Sequence, residues 1–362
     1  MLLPDQRNYL QPPSPALPAR LLAGLKSIRR WFRAHVDDYF LFPPWLLLQV
    51  LRHRHRPVIL FRIGVLGDLI CTLPQCAEIR RRHPGRPLLL VTMRDYREMA
   101  GLAKGLDAVY GAHAWTFSPA RLCFGLVEKI YAPKTTDEVS YQTGTNCHLI
   151  DDLARSSGLT VTDRQPHLFP SQELVASTLA LTGLGPKRSS GRKLIAINCG
   201  RTWAVREWGF DHWQQLLDMI HAEYDAIIIL FGIGGGENEY TQLRGVESFA
   251  NHRVGTRELV ALVAACDLVI SIDSGPVHLA GAVGIPVVGL FGAVNPAYRL
   301  PPTSPASAVV AEVPCLYCNH LTPRGHWQSG CPHDIRCMKE LAVASVFKAV
   351  RVCLDAGTQA RL

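Results

Sequence analysis

The fold is decided most clearly by a stretch in the C-terminal half, Leu268-Val-Ile-Ser-Ile-Asp-Ser-Gly-Pro-Val-His-Leu-Ala280. The apolar run at 268–272 predicts a buried strand. Ser274 can cap the helix that follows, Pro276 suits its first turn, and Gly284 ends it. The stretch therefore predicts a strand, a tight turn and a helix, the unit from which parallel α/β sheets are built.

The same turn has the chemistry of a phosphate site. Free N–H groups and the positive end of the helix dipole predict a diphosphate site at the helix N-terminus. Ser274 and Gly275 let a ligand approach the backbone, and we expect Asp273 beside it. His278 lies one turn further on, where the alternative is an ordinary half-buried helix histidine.

Strands alternating with helices run through most of the chain, in one series from Pro57 and a second from Leu194. Such alternation predicts two α/β domains with parallel sheets and with ligands at the carboxyl ends of the strands. The predicted segments are an N-terminal extension at 1–56, a first domain at 57–175 and a second at 185–350. The predicted strands are 58–63, 88–92, 108–110, 194–197, 226–231, 268–272 and 287–291, and the predicted helices are 69–83, 147–157, 171–182, 211–222, 256–265 and 276–283.

A second strand-to-helix turn reads Arg62-Ile-Gly-Val-Leu-Gly-Asp68. Gly64 and Gly67 permit a tight turn and close approach of a ligand. Asp68 then stands at the start of a helix, where two interpretations are open, a helix N-cap or a catalytic carboxylate. A dinucleotide-binding fingerprint does not fit, because the glycine spacing is Gly-x-x-Gly.

Composition narrows the class of protein. The 362 residues are 48% hydrophobic and 19% charged, which is typical of a globular protein with a sizeable core. A net charge of +8 favours an anionic partner, and no recognisable reader module supports nucleic acid. The eleven cysteines and the absence of a signal-peptide pattern favour reduced thiols in a cytoplasmic protein.

The N-terminal extension combines apolar and basic residues. Residues 1–20 are rich in proline, and we expect them to be poorly ordered. Residues 20–33 are apolar on one helical face and basic on the other, and an aromatic and leucine-rich run at 39–51 precedes the basic run 52–56. One interpretation is a helical extension packed on the domain, and the other is an element that contacts an anionic membrane surface.

The two turns together resemble a known family. Val58-Ile-Leu-Phe-Arg-Ile-Gly-Val-Leu-Gly-Asp-Leu-Ile-Cys-Thr-Leu-Pro74 resembles the N-terminal signature of glycosyltransferase family 9, the bacterial heptosyltransferases. The stretch from Asp273 to Pro286, followed by Leu-Phe-Gly292, resembles the C-terminal signature. The resemblance covers roughly residues 57–350. It implies a GT-B fold, in which two Rossmann-like domains face each other across the active-site cleft.

The resemblance also implies roles for individual residues. Members transfer a sugar, usually from ADP-heptose, with inversion and without a catalytic metal. Asp68 matches the general base, and Asp273 matches the acid that contacts the donor sugar. Gly67 and His278 belong to the same two motifs, and Ser274 and Gly275 match the residues that hold the diphosphate.

Between the motifs the match is partial. Arg206 takes a position that is usually lysine, from which it can neutralise the leaving phosphate. Asn198-Cys199 replaces the usual His-Pro. Glu237 is placed to bind the ribose, although an ordinary Gly-rich loop is the alternative there, and Val254 falls where the family passes adenine along its backbone. Residues 111–145, in the acceptor-binding domain, match poorly.

Four cysteines cluster near the C-terminus, in segment 315–337. Cys315 and Cys318 form a CxxC pair, and Cys331 and Cys337 follow. This spacing is typical of structural metal sites, and a protein-heptosylating branch of the family resembles it in using four cysteines for a metal. A structural zinc or iron is one interpretation, and unligated thiols are the other.

We therefore expect an inverting glycosyltransferase that uses a nucleotide-sugar donor and a lipopolysaccharide-core or related glycan acceptor. It would work in the cytoplasm, at the inner face of the membrane. The alternatives are a non-catalytic glycan- or nucleotide-binding scaffold and a transferase of the same family that acts on a protein.

Overall fold

The fold is described from a computed structural model of the chain. The structure describes residues 28–29, 36–113, 125–136, 146–200, 204–230, 239–248, 254–302, 305–321 and 330–359.

Residues of the N-terminal half form a four-stranded parallel sheet. Its strands are β1 (Val58–Phe61), β2 (Leu88–Met93), β3 (Ala108–Ala112) and β4 (Lys129–Tyr131), in the order β3-β2-β1-β4. Strand β1 is central, because Val58 lies opposite Leu88 of β2 and Lys129 of β4. Strand β4 was not predicted. Its three residues are exposed, half-buried and buried in turn. A strand of three residues is too short to show a recognisable pattern in the sequence.

Helices cover both faces of this sheet. They are α1 (Phe42–His53), α2 (Leu66–Thr72), α3 (Gln75–Arg82), α4 (Arg97–Ala100) and α5 (Leu149–Ser156). Helix α1 packs Phe42 and Leu46 against the face that carries Ile59, while α2 and α3 belong to the core on the opposite face. The single helix predicted at 69–83 is wrong. The chain forms two helices there, because the ring and missing N–H of Pro74 interrupt the helical hydrogen bonds.

Residues of the C-terminal half form a six-stranded parallel sheet. Its strands are β5 (Lys193–Asn198), β6 (Ala226–Leu230), β7 (Val246–Ser248), β8 (Leu268–Ile272), β9 (Val287–Leu290) and β10 (Ala306–Val309), in the order β10-β9-β8-β5-β6-β7. Counted from β5, this is the strand order of the Rossmann fold. The order reverses between β5 and β8, where a crevice for ligands forms.

Helices also cover the second sheet. They are α6 (Gln172–Leu181), α7 (Gly185–Ser189), α8 (Phe210–Glu223), α9 (Thr256–Ala264), α10 (Gly275–Val283), α11 (Cys318–Leu321), α12 (Arg336–Lys339) and α13 (Val343–Gln359). Helices α8 and α13 pack on one face, around the buried Trp208 and Trp213. The Trp208 indole donates to the backbone oxygen of Leu341 at 2.9 Å, which joins the two sides of this core. In the described ranges, no helix is long and apolar enough to cross a membrane.

The two halves are packed together along helices α2 and α10. Residues of both helices belong to one continuous buried core. Hydrogen bonds cross the same boundary, from the Leu168 amide to the Ala282 oxygen at 3.0 Å and from the Thr256 hydroxyl to the Asp95 oxygen at 2.6 Å. The carboxyl ends of β1 and β8 therefore meet.

Candidate active site

The site lies where the turn after β1 meets the turn after β8. Each turn leaves its sheet beside the point where the strand order reverses, since β1 borders β4 and β8 borders β5. The predicted turns at Asp68 and Asp273, which are far apart in the sequence, thus come together.

Asp68 is held by a buried arginine. Its carboxylate accepts a hydrogen bond from Nη2 of Arg62 at 2.6 Å, and Nη1 of Arg62 donates to the backbone oxygen of Pro133 at 3.0 Å. The Arg62 side chain is 4% exposed and that of Asp68 is 24% exposed. The pair therefore fixes a carboxylate that still reaches solvent.

Asp68 is not a helix N-cap. Helix α2 begins after Val65, whose backbone is extended, and Asp68 is the third residue of the helix. The capping interpretation is therefore wrong. Arg62 was not among the predicted site residues, although an arginine directly after the buried β1 strand is itself a signal, because a buried charge needs a partner.

Asp273 is also paired with an arginine. Nη1 of Arg206 donates to the Asp273 backbone oxygen at 2.9 Å, and Nη2 lies 3.2 Å from the carboxylate. Burial lowers the pKa of Arg206, and the negative charge of Asp273 opposes that shift. Even so, the guanidinium remains charged, since an arginine is not deprotonated in proteins.

Ser274 stands just before helix α10 without capping it. Its backbone is extended, and no side chain caps the helix. Instead the Ser274 hydroxyl accepts from Nδ2 of Asn198 at 2.5 Å, and the same amide group donates to Ser271 at 3.1 Å. Asn198, the residue that departs from the family pattern, thus ties the end of β5 to the turn after β8. Among the residues that the structure describes, none forms a hydrogen bond with its buried Oδ1.

The two turns touch through glycines. A Cβ atom on Gly67 would lie 2.8 Å from Cδ2 of His278 and 3.6 Å from the Cα of Gly275. A Cβ on Gly275 would meet Leu66 at 3.1 Å. Side chains at either position would push the turns apart, so both glycines are needed for this contact.

His278 reaches across the boundary between the halves. Its Nδ1 lies 3.3 Å from Sγ of Cys71, a residue of helix α2. Burial lowers the pKa of His278 to about 3, and burial likewise raises the pKa of the Cys71 thiol. Both groups are therefore neutral at physiological pH, and the predicted site histidine is an uncharged, buried one.

Arg299 contributes a further positive charge that the sequence analysis overlooked. It follows the short turn Pro296–Tyr298 after β9. Its charge helps to lower the pKa values of His278 and Arg206 and opposes the rise in that of Cys71. Two aspartates and three arginines thus surround the meeting point of the turns, an arrangement that suits an anionic ligand.

A family model of glycosyltransferase family 9 (heptosyltransferase) matches residues 145–326. The chain belongs to glycosyltransferase family 9. The matched range includes Asp273 but not Asp68, so the base assignment stays a prediction.

Curated relatives are more distant. The lipooligosaccharide heptosyltransferase 2 of Campylobacter jejuni is 26% identical over 178 residues, which are 45% of this chain and 51% of that protein. The lipopolysaccharide heptosyltransferase 2 of Salmonella typhimurium is 26% identical over 156 residues, 40% of this chain and 44% of that one. The chain thus spans about half the length of the curated relatives that it matches.

Solved structures of the family share the fold. A glycosyl transferase family 9 protein from Veillonella parvula has a TM-score of 0.62 at 17% identity, covering 83% of this chain and 98% of that chain. The E. coli ADP-heptose heptosyltransferase II has a TM-score of 0.59 at 14% identity, and the match covers 83% of this chain and 99% of that chain. These matches confirm the predicted GT-B fold of this family 9 protein.

The remaining family positions are placed less fully. The structure brings together Gly67, Asp68, Arg206, Asp273, Ser274, Gly275 and His278. Val254 is half-buried just before helix α9, and Glu237 lies outside the described residues. Their assignment to the adenine and the ribose stays a prediction.

The four family-like cysteines lie near one another. Burial, together with the neighbouring Cys331, Cys315 and Cys318, raises the pKa of Cys337 to about 12. The cluster packs against the strand β9 end, where a Cβ on Gly292 would lie 2.7 Å from Sγ of Cys337. Every cysteine that the structure describes is a free thiol, and its described residues include no group of three or more metal-ligating side chains placed to hold an ion. The metal interpretation stays a prediction.

Proposed function

We propose that this family 9 protein is an inverting, metal-independent glycosyltransferase that moves a heptose or similar sugar from a nucleotide donor, ADP-heptose by preference. The observation that carries the proposal is the pair of aspartates, each held by an arginine, on two turns that meet between two Rossmann-like sheets. One carboxylate is partly exposed and the other is buried, which suits two different roles.

The transfer step assigns one role to each turn. Asp68 takes the proton of the acceptor hydroxyl while that oxygen forms a bond to the anomeric carbon. The bond from that carbon to the diphosphate oxygen breaks, and the diphosphate leaves with the electron pair. Arg206 and the N-terminus of helix α10 stabilise the charge on the leaving group, and Asp273 contacts the donor sugar.

The acceptor in this proposal is a lipopolysaccharide-core or related glycan. The names of the Campylobacter and Salmonella relatives support it, since both are heptosyltransferases of lipooligosaccharide or lipopolysaccharide. With a glycolipid acceptor, we propose that the protein works in the cytoplasm, at the inner face of the membrane.

A structural metal is a separate part of the proposal. The sulfur-only donor set of Cys315, Cys318, Cys331 and Cys337 suits zinc or iron. A TM-score of 0.62 at 17% identity relates the fold to TibC of enterotoxigenic E. coli, which is named as an iron-containing glycosyltransferase. A metal bound there would link Cys315, Cys318 and Cys331 to Cys337 of helix α12, and it would take no part in sugar transfer. Elemental analysis of the purified protein tests the assignment.

The catalytic role of Asp68 is tested by Asp68→Asn, with Asp151→Asn as a matched control. Asp151 is also in the first turn of a helix and is paired with an arginine, Arg164, at 2.7 Å, and its side chain is 22% exposed. We expect Asp68→Asn to lower kcat by about 10²–10⁴-fold with little change in donor affinity, because only the proton acceptor is lost. The control should retain turnover. Full activity in Asp68→Asn would remove Asp68 from the mechanism.

Donor identity is tested by thermal shift with ADP, UDP, GDP and their sugars. Stabilisation by ADP-sugars is expected, and stabilisation by UDP- or GDP-sugars only would overturn the heptose assignment.

A rival function, a non-catalytic scaffold, is motivated by Asn198. This residue replaces the usual family residue, and its side chain ties the end of β5 to the turn after β8. Nucleotide binding by the wild-type protein without any sugar transfer would favour that rival.

A further inference from the structure

Helix α1 has one face in the protein core and another that is apolar and exposed. Phe42 and Leu46 are fully buried against the N-terminal sheet. On the other side, Leu47, Leu48 and Leu51 are 45%, 59% and 66% exposed. Large exposed side chains continue the apolar surface before the helix, at Tyr39, Phe40 and Leu41. We call Tyr39, Phe40, Leu41, Leu47, Leu48 and Leu51 the α1 face.

The α1 face is concentrated in one short segment of the chain, which separates it from scattered exposed apolar residues. A residue such as Leu181, 68% exposed on helix α6, is ordinary when it stands by itself. The α1 face instead concentrates six such residues within thirteen positions of the chain, 39–51. Apolar patches of this kind mark contact surfaces for a partner or a membrane.

Asp37 and Asp38 precede the α1 face along the chain, and the charged residues that follow it are basic. No aspartate or glutamate occurs between residues 39 and 56, whereas Arg52, Arg54 and Arg56 follow the last exposed leucine. Arg56 is paired with Glu128 at 3.1 Å, and Arg52 and Arg54 are exposed at the helix end.

We propose that the α1 face docks on an anionic lipid bilayer, with α1 lying in the plane of the interface. Exposed leucines and aromatic rings enter the boundary between headgroups and acyl chains, and arginines at their edge meet lipid phosphates. The twelve residues of α1 span only about 18 Å, so the helix lies on the bilayer and does not cross it. Docking deepens the proposed function, on which it rests for a membrane-borne acceptor.

Flotation of the full-length protein with vesicles tests the proposal, without donor or acceptor present. One vesicle set contains phosphatidylglycerol and phosphatidylcholine, and the other only phosphatidylcholine. The test variant carries Leu47→Ser, Leu48→Ser and Leu51→Ser. The control carries Leu181→Ser and Val352→Ser, which are comparably exposed at 68% and 59% but lie on other helices. Thermal unfolding confirms that both variants fold.

The wild type and the control should bind anionic vesicles and bind neutral ones weakly. The triple variant should lose at least about tenfold in vesicle partitioning, because three leucines no longer leave water. Replacing Arg52 and Arg54 by serine should lower binding to anionic vesicles by at least about fivefold. Equal binding by the wild type and the triple variant would overturn the proposal. The proposal would also be overturned if the wild type did not bind vesicles and formed an oligomer that the triple variant did not form. The α1 face would then be a contact between two copies of this chain.

Sugar transfer to a water-soluble acceptor fragment separates this proposal from the function proposed above. The triple variant should keep that activity, since none of its changes touches the two turns. If the wild-type protein bound vesicles but had no transferase activity, the docking proposal would stand and the proposed enzyme function would be rejected.

Discussion

His278 makes the stability of this protein sensitive to acid. The imidazole is 7% exposed, its Nδ1 lies 3.3 Å from Sγ of Cys71, and its ring fills the space beside Gly67. Burial lowers its pKa from 6.5 to about 3. Around it, Asp273 favours the charged form, whereas Arg299, His148 and Arg206 oppose it, so the neutral form prevails.

The sign of this pH effect on stability follows from which state, folded or unfolded, binds the proton. Below about pH 6.5 the unfolded chain takes up a proton on this histidine, and the folded protein does not until about pH 3. The contribution of the neutral His278 to the free energy of unfolding is therefore fully present above about pH 6.5. It is lost progressively as the pH falls from about 6.5 to about 3. With 1.36 kcal/mol for each unit of pKa difference, the loss between pH 7 and pH 5 is about 2 kcal/mol.

Urea unfolding of the wild type and of His278→Gln, at pH 7 and at pH 5, measures this loss. The variant loses packing at both pH values, but the difference between the two proteins should narrow by about 2 kcal/mol at pH 5. His221→Gln, which replaces an exposed imidazole on helix α8, is the control and should follow the wild type at both pH values. Parallel pH dependences of wild type and His278→Gln would show that folding does not lower the pKa of His278.

Three further outcomes are expected. Gly67→Ala should destabilise the protein by about 1–3 kcal/mol in urea unfolding, because its Cβ would lie 2.8 Å from the His278 ring. Arg188→Met should cost about 3 kcal/mol of stability with unchanged turnover per folded molecule, since it leaves the buried Asp267 without the guanidinium that now binds both of its oxygens at 2.6 and 2.9 Å. If the cysteine cluster holds a metal, a chelator should lower the melting temperature and release stoichiometric zinc or iron, and no change in either would reject the metal.

Local patterns in the sequence were sufficient for much of the fold. Strands β1, β2, β5, β6, β8 and β9 lie where apolar runs predict them, because a buried parallel strand is apolar throughout. The boundaries of helix α10 are likewise set nearby, by Pro276 in its first turn and by Gly284, whose positive φ of 78° ends it. Each of these features depends on residues within a few positions of one another.

The sequence by itself thus determined two parallel sheets, the turns at Asp68 and Asp273, and membership of a GT-B family. Only the tertiary structure decided what each turn contacts. Cys71 and His278, 207 positions apart, meet only after helices α2 and α10 have packed. The anchoring of Arg62 was decided in the same way, since its guanidinium also donates to the backbone oxygen of Pro133, 71 positions away. Periodicity and capping act over a few residues and can be read in advance, whereas the charges and contacts of a site depend on how separate parts of the chain pack together.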